Sequence, residues 1–193
     1  MCHAVLSSSS FWLLLQQVDE DLAAQTRAAG CRFCAGVLHR ADYPRKPRGV
    51  RRQLLGEGYA RRVSLCCAQD GCRRRHTPPS VRFLGRRVFL AAVVVLATAL
   101  AQGLTGQRVA ALREELGVSV RTLRRWQRWW REAFVATALW KSLRGQCLPV
   151  IAATSLPAGL LERCRGADAA GHLIGLLRWL APLSCSSWTR AGC

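Results

Sequence analysis

Two pairs of cysteines in the first half of the chain constrain its fold more than any other feature. Cys31 and Cys34 have two residues between them, and Cys67 and Cys72 have four. Tight gaps of this kind let backbone N–H groups point at the sulfurs, and two distant pairs can close a tetrahedron around one ion. The spacing therefore predicts a four-thiolate metal site, with Zn²⁺ as the cofactor and all four cysteines as its ligands.

The residues between the two pairs suit a small β ribbon. Two runs of strand-like composition, residues 36–40 and 61–66, flank a loop rich in Pro, Gly and Arg at residues 43–58. Each cysteine pair adjoins one of these runs. A unit this small has little apolar core, so the metal would supply most of its folding free energy.

Other uses of the cysteines stay open at this point. A redox role for the two-residue-gapped pair would need a βαβ context, which the sequence lacks, and disulfides would suit an exported chain, for which no signal peptide is visible. Unrelated buried thiols are a third alternative. Cys66 adjoins Cys67 and is an alternative third ligand, while His39 and His76 are conceivable substitutes. The remaining cysteines have no ligand spacing and are expected to be bystanders: Cys2, Cys147, Cys164, Cys185 and Cys193.

The segment over residues 107–130 predicts two helices joined by a tight turn. Gly117 relieves the turn of Cβ crowding if its φ is positive, and Ser119 can cap the second helix because its hydroxyl accepts a free backbone N–H. Many helix-turn-helix units carry a small residue four positions before the turn glycine, where this chain has Arg113. The sequence therefore predicts both helices but not the angle at which they cross.

The second of these helices has two faces of opposite character. At 3.6 residues per turn, one face is apolar and consists of Val120, Leu123, Trp126, Trp130 and Phe134. The opposite face and its borders carry Arg121, Arg124, Arg125, Arg128 and Arg131. A helix that reads a DNA groove needs this pattern, because apolar anchors hold it while guanidinium groups meet phosphates and guanine edges. We expect DNA contacts from Ser119, Arg121, Thr122, Arg124, Arg125 and Arg128; the alternative is an ordinary amphipathic helix with a solvated basic face.

The overall charge favours a polyanionic partner. The 193 residues include 29 Lys and Arg against 11 Asp and Glu, a formal net charge of +18. Such a chain attracts nucleic acid through long-range steering and counterion release. Arg73, Arg74 and Arg75 follow the last cysteine of the second pair and are expected to contact phosphates.

The most apolar stretch, residues 88–101, immediately precedes the two predicted helices. A membrane span usually needs about 20 apolar residues, and Gln102 and Gly103 end this run early. We therefore predict a buried first helix of a three-helix, homeodomain-like unit; a transmembrane segment is the alternative. Residues 11–15 predict an amphipathic helix without the basic leader of an export signal.

We expect neither an enzyme nor a small-molecule substrate. A transposase or another two-metal nuclease needs several carboxylates that converge on a pair of cations. Beyond Glu132 the chain has only Glu162 and Asp168. No Ser/His/Asp set or phosphate-binding glycine loop is visible in the sequence.

Residues 31–48 and 65–85, together with the Gly-Val-Ser turn at residues 117–119, resemble small bacterial proteins from mobile elements. Those proteins join a transposase-type zinc ribbon to a helix-turn-helix, and the resemblance covers roughly residues 31–134. It implies zinc at the four paired cysteines and DNA contact through the second helix. It implies no enzymatic activity.

These observations predict a mainly α fold with a small β zinc ribbon. We expect an N-terminal helix within residues 1–28, the zinc ribbon at 29–82, the helix-turn-helix unit at 83–138, and short helices with a frayed end at 139–193. The expected function is DNA binding by a transcriptional regulator or accessory factor of a transposable element, in the bacterial cytoplasm at the nucleoid. Its expected partners are double-stranded DNA and a transposase or another protein. The alternatives are a protein-interaction module that uses an exposed Trp129 and the C-terminal helices, and a small membrane protein anchored by residues 88–101.

Overall fold

A computed structural model describes residues 2–85, 88–103, 105–147 and 149–185 of the chain. Most of these residues are helical, and the strands are short. The helices are α1 (Cys2–Leu6), α2 (Ser9–Ala28), α3 (Ala91–Gly103), α4 (Gly106–Leu116), α5 (Val120–Trp129), α6 (Ala138–Arg144), α7 (Ala158–Arg163) and α8 (Ala169–Leu180). The strands are β1 (Leu38–Arg40), β2 (Tyr43–Pro44), β3 (Arg61–Arg62), β4 (Leu65–Cys67) and β5 (Arg75–His76). The prediction of a mainly α fold with a small β unit beside a cysteine cluster is confirmed at this level.

The long helix α2 is the predicted N-terminal amphipathic helix. It begins at Ser9 because the hydroxyl of Ser8 accepts a hydrogen bond from the backbone N–H of Phe11. Phe11, Trp12 and Leu15 are buried along one face. The indole N–H of Trp12 donates to the carbonyl of Leu6 at 2.9 Å, which joins α1 to α2.

The sheet consists of β1, β4 and β5, which pair in the order β1-β4-β5 with antiparallel neighbours. A separate antiparallel pair, β2 with β3, lies in the connection between β1 and β4. Leu65 and Cys67 on β4 are buried, and Cys66 between them faces the other side of the sheet. The two predicted strand-like runs therefore contain β1, β3 and most of β4.

Helix α3 is the buried helix that the apolar run predicted. Residues 91–98 are all buried. The helix begins at Ala91 and not at the start of the run. Phe89 forms an isolated β-bridge with Arg48, and Leu90 forms one with Phe83. Val88, the first residue of the run, is 43% exposed. In the described ranges, none of the helices combines the length and the apolar character needed to cross a bilayer.

A left-handed turn separates α4 from α5. Gly117 has a φ of 60°, and the hydroxyl of Ser119 accepts the backbone N–H of Thr122 at 3.2 Å, as the sequence predicted for both residues. The side chain of Arg113, at the position where a small residue was expected, donates from Nε to the carbonyl of Val118 at 3.3 Å. Arg113 thus stabilises the turn from the preceding helix.

Helix α5 continues into a widened π-helical turn at Trp130–Phe134. Leu123, Trp126, Trp130 and Phe134 are buried, as predicted for its apolar face. Val120 was assigned to the same face, and that assignment was wrong, since its side chain is 38% exposed. Val120 is the first residue of α5, immediately after its cap.

One large apolar core contains residues from all four predicted segments of the chain. Trp12 of α2, Tyr59 just before β3, Trp126 of α5 and Leu176 of α8 all belong to it. A second, small cluster beside the sheet contains Cys31, Leu38, Leu65 and Cys67, with Cys72 packed against it. The cysteine module therefore has little apolar core of its own, as the sequence predicted.

The predicted C-terminal helices are α7 and α8. Pro157 immediately precedes α7, where its missing backbone N–H removes no helical hydrogen bond. Asp168 caps α8, because its carboxylate accepts the backbone N–H of Gly171 at 2.7 Å. Most of the end expected to fray, residues 186–193, lies outside the described residues.

A buried ion pair joins α2 to the segment before α3. Nε of Arg82 donates to the carboxylate of Asp19 at 2.7 Å, and both side chains are at most 1% exposed. The hydroxyl of Ser80 and the backbone N–H of Val81 also donate to that carboxylate. These donors satisfy the buried charge, which would otherwise be strongly destabilising.

Candidate metal centre and arginine surfaces

The sulfurs of Cys31, Cys34, Cys67 and Cys72 lie within 4.8 Å of one another. The Sγ atoms of Cys31 and Cys72 are 3.7 Å apart, and those of Cys34 and Cys67 are 3.5 Å apart. Four thiolates bound tetrahedrally to zinc at about 2.3 Å would be separated by roughly 3.8 Å. The residues present therefore fit a four-thiolate metal ion.

The third sulfur of the cluster comes from Cys67 and not from Cys66. The side chain of Cys66 faces the other side of β4, where its thiol donates to the carbonyl of Arg73 at 3.5 Å. Cys67 is fully buried beside Cys34. Successive side chains of a strand point to opposite faces, so Cys66 and Cys67 cannot both face the cluster, and it is Cys67 that does.

Backbone N–H groups point at the cluster in the same way in both cysteine pairs. The N–H of Gln69 donates to Sγ of Cys67 at 3.4 Å. Corresponding donors, each two residues after its cysteine, are Phe33 for Cys31, Gly36 for Cys34 and Arg74 for Cys72. As expected from the spacing, few residues separate the two cysteines of each pair because this donation from backbone N–H to sulfur needs a tight turn.

The residue after the second cysteine of each pair has a left-handed backbone. Ala35 has a φ of 56° and Arg73 a φ of 44°, values that L residues rarely adopt. Each turns the chain so that the next N–H faces the preceding sulfur. After Ala35 the backbone passes close to the sulfurs, since a Cβ on Gly36 would stand 3.3 Å from Sγ of both Cys34 and Cys67.

The four clustered thiols differ in the direction in which their surroundings shift the pKa. Burial disfavours the thiolate of Cys31, but backbone donors from Phe33 and Cys34 and the contact with His76 outweigh it and lower the pKa to about 6. For the other three thiols the backbone donor is the largest influence and favours ionisation. Burial and neighbouring thiols outweigh it and raise each pKa. A divalent cation would remove this conflict, because its charge compensates crowded thiolates.

His76 supports the cluster from β5. Its Nε2 lies 3.2 Å from Sγ of Cys31, and its side chain is nearly buried beside the ring of Phe33. His39, the other histidine considered from the sequence, is exposed on β1. Because the four cysteines could by themselves complete a tetrahedral site, His76 fits the part of a hydrogen-bonding neighbour to one of them.

The arginines after the second cysteine pair have different surroundings. Arg73 forms an ion pair with Asp70 at 2.6 Å, whereas the guanidinium of Arg74 lies over the ring of Phe33 at 4.5 Å. Arg75 is exposed on β5. Arg32 also lies over Phe33, at 4.8 Å. Arg32 and Phe33 were not predicted from the sequence, although their position inside the first cysteine pair was a signal for them.

The second basic surface is the outer face of α5. It consists of exposed arginines at positions 121, 124, 125, 128 and 131. Ser119 is exposed at the start of the helix and Thr122 is half-buried, and their hydroxyls are 3.0 Å apart. Every residue expected to contact DNA from this helix therefore lies on its outer side or at its first turn.

The inner face of α5 is held by aromatic contacts. Trp126 meets Phe89 edge to face with ring centroids 5.0 Å apart, and Trp130 meets Phe134 at 4.8 Å. The alternative of a protein-interaction module assumed an exposed Trp129, and that assumption was wrong. Its half-buried ring packs against Trp130 and Phe134. The orientation of α5, and hence of its arginines, is fixed by this packing.

Comparisons of the chain with protein-family models, with curated proteins and with solved structures give no match. Inferences about function therefore depend on the chain's own residues and their geometry.

Proposed function

We propose that this chain is a zinc-binding protein that binds double-stranded DNA, with α5 lying in the major groove. The observation that carries the proposal is the separation of the two faces of α5. Leu123 and Trp126 anchor one face in the core, and five exposed arginines occupy the outer side. A helix that enters a groove needs both, because the anchors fix the direction in which the guanidinium groups point.

The first turn of α5 suits the phosphates at the edge of the groove. Ser119 caps the helix and Thr122 lies one turn on, and the backbone N–H groups at a helix N-terminus attract anions. In this proposal Arg121, Arg125 and Arg128 reach base edges, while Arg124 stands beside them against the backbone of the duplex. Guanidinium groups can donate two hydrogen bonds to one guanine, which gives sequence preference.

Zinc has a structural role in the proposal. The cysteine module has a small apolar cluster, and its four thiols are close enough to share one ion. Structural zinc sites use four protein ligands and leave no open position for a substrate. The metal would hold the two cysteine pairs together and thereby position the arginines around them.

A regulatory or accessory role in a mobile element is also part of the proposal. The resemblance of the paired cysteines and of the Gly-Val-Ser turn to proteins of that kind supports it. The exposed arginines of α5 are compatible with either role. Binding sites recovered from genomic DNA would distinguish them, since an accessory factor would occupy element ends and a regulator would occupy promoters.

The base preference of an Arg125→Ala variant tests the proposal. If Arg125 contacts a guanine, its loss costs about 1–3 kcal/mol at one base pair and removes the preference there. Preferences at the other base pairs should remain. Arg144→Ala, at an exposed position of α6, is the matched control and should leave every preference unchanged. An Arg125→Ala protein with wild-type preference at all positions would show that α5 does not read the groove.

A further inference from the structure

The cysteine module carries an exposed aromatic side chain between two arginines. Phe33 lies inside the first cysteine pair and is 50% exposed. The guanidinium carbons of Arg32 and Arg74 lie 4.8 Å and 4.5 Å from the centre of its ring. Phe33 is outside both apolar clusters, so its position is not explained by the core.

We propose that Arg32, Phe33 and Arg74 form a phosphodiester-binding site, a second DNA contact separate from α5. This inference rests on the proposed function, because it takes duplex DNA as the ligand. A guanidinium stacked on an aromatic ring uses its flat face and keeps its N–H edges free. Those edges can donate two parallel hydrogen bonds to a phosphate.

Neither guanidinium is committed to another partner. Among the described residues, neither Arg32 nor Arg74 forms an ion pair or a side-chain hydrogen bond, whereas the neighbouring Arg73 is paired with Asp70. Arg40, elsewhere on the module, is likewise bound to Glu20 and Asp42. An anionic ligand would neutralise the two cations that this one ring holds.

The site exists only where the two cysteine pairs meet. Arg32 and Phe33 belong to the first pair, and Arg74 follows the second pair. The contact between the sulfurs of Cys31 and Cys72 brings those segments together. A metal ion that binds all four sulfurs would therefore also assemble this site, so the metal would support DNA contact indirectly, by holding the two segments together.

The salt dependence of duplex affinity, measured for wild type and for an Arg32→Gln/Arg74→Gln variant of the full chain, tests the inference. If each arginine neutralises one phosphate, the slope of log affinity against log salt concentration should be shallower by about two in the double variant. The ratio of wild-type affinity to variant affinity should then fall about tenfold between 50 and 200 mM salt. Base preference should not change. Arg144→Gln/Arg178→Gln, at exposed positions on α6 and α8, is the charge-matched control and should keep the wild-type slope.

Substitutions of Phe33 separate stacking from charge alone. Phe33→Trp keeps an aromatic face for both guanidiniums and should keep the wild-type slope, whereas Phe33→Leu should flatten it. Zinc content is measured for every variant. The inference is overturned if the double arginine variant keeps the wild-type slope. It is also overturned if affinity falls only in those variants that have lost zinc.

The result also separates this site from α5. If the α5 variants weaken binding and the Arg32/Arg74 variant does not, this inference fails and the proposed function stands. If only the Arg32/Arg74 variant weakens binding, the cysteine module is the DNA contact and the proposed role of α5 fails.

Discussion

The indole N–H of Trp130 donates a hydrogen bond to the hydroxyl of Thr98, with 3.0 Å between Nε1 and Oγ1. Both side chains are fully buried. The same hydroxyl donates to the carbonyl of Val94, one turn earlier on α3. This bond joins the apolar helix α3 to the end of the arginine-bearing helix, so it fixes the position of α5 relative to the core.

Thr98→Val should destabilise the protein by about 1–3 kcal/mol, because it leaves the buried N–H of Trp130 without an acceptor. Chemical denaturation measures the change. Thr98→Ser keeps the hydroxyl and is the control for the acceptor. The effect of Thr98→Val should be smaller in a Trp130→Phe background, where no N–H remains. An equal effect in both backgrounds would mean that the hydrogen bond does not contribute.

Gly36→Ala should weaken zinc binding about 10–100-fold, the range typical of changes beside a metal ligand. The added Cβ would stand 3.3 Å from two ligand sulfurs, so a ligand would have to move. Competition with a chromophoric chelator measures the affinity. Gly71→Ala, in the second cysteine pair, is the control and should bind zinc normally, because nothing lies within 4 Å of its Cβ position. Equal affinities for both variants would contradict the close approach of the Gly36 backbone to two metal-bound sulfurs.

Cys67→Ser should lose the bound metal and the structure of the module, while Cys66→Ser should keep both. The two residues are adjacent, but only the sulfur of Cys67 lies in the cluster. Metal analysis of the purified variants gives about one zinc per chain for wild type and Cys66→Ser. Loss of zinc from Cys66→Ser with retention in Cys67→Ser would reverse the assignment.

The features predicted from sequence are those that a local pattern encodes. The cysteine spacing predicted which four cysteines lie together, and the Gly-Val-Ser turn predicted both the left-handed Gly117 and the Ser119 cap. The period of apolar residues predicted the buried face of α5 except at Val120. Each of these depends on residues only a few positions apart, so the chain itself carries the information.

The features missed are those that depend on contacts between distant segments. The choice between Cys66 and Cys67 needed the pairing of β4 with β1 and β5, because a shift of one residue moves a side chain to the other face. The Asp19–Arg82 pair joins two segments that share no sequence pattern. The stacking of Arg74 on Phe33 likewise appears only when the two cysteine pairs are brought together.

The central claim, that α5 contacts duplex DNA, is tested most directly by an Arg121→Ala/Arg125→Ala/Arg128→Ala variant. The charge-matched control is Arg144→Ala/Arg165→Ala/Arg178→Ala, at exposed positions outside α5. Duplex affinity is measured over a range of salt concentrations, with circular dichroism and zinc content to establish that each protein is folded. We expect the α5 variant to lose sequence preference and to have a shallower salt dependence, because it neutralises fewer phosphates, while the control stays close to wild type. The account is contradicted if the folded α5 variant binds like wild type. It is also contradicted if the control loses as much affinity as the α5 variant, because the loss would then reflect net charge alone.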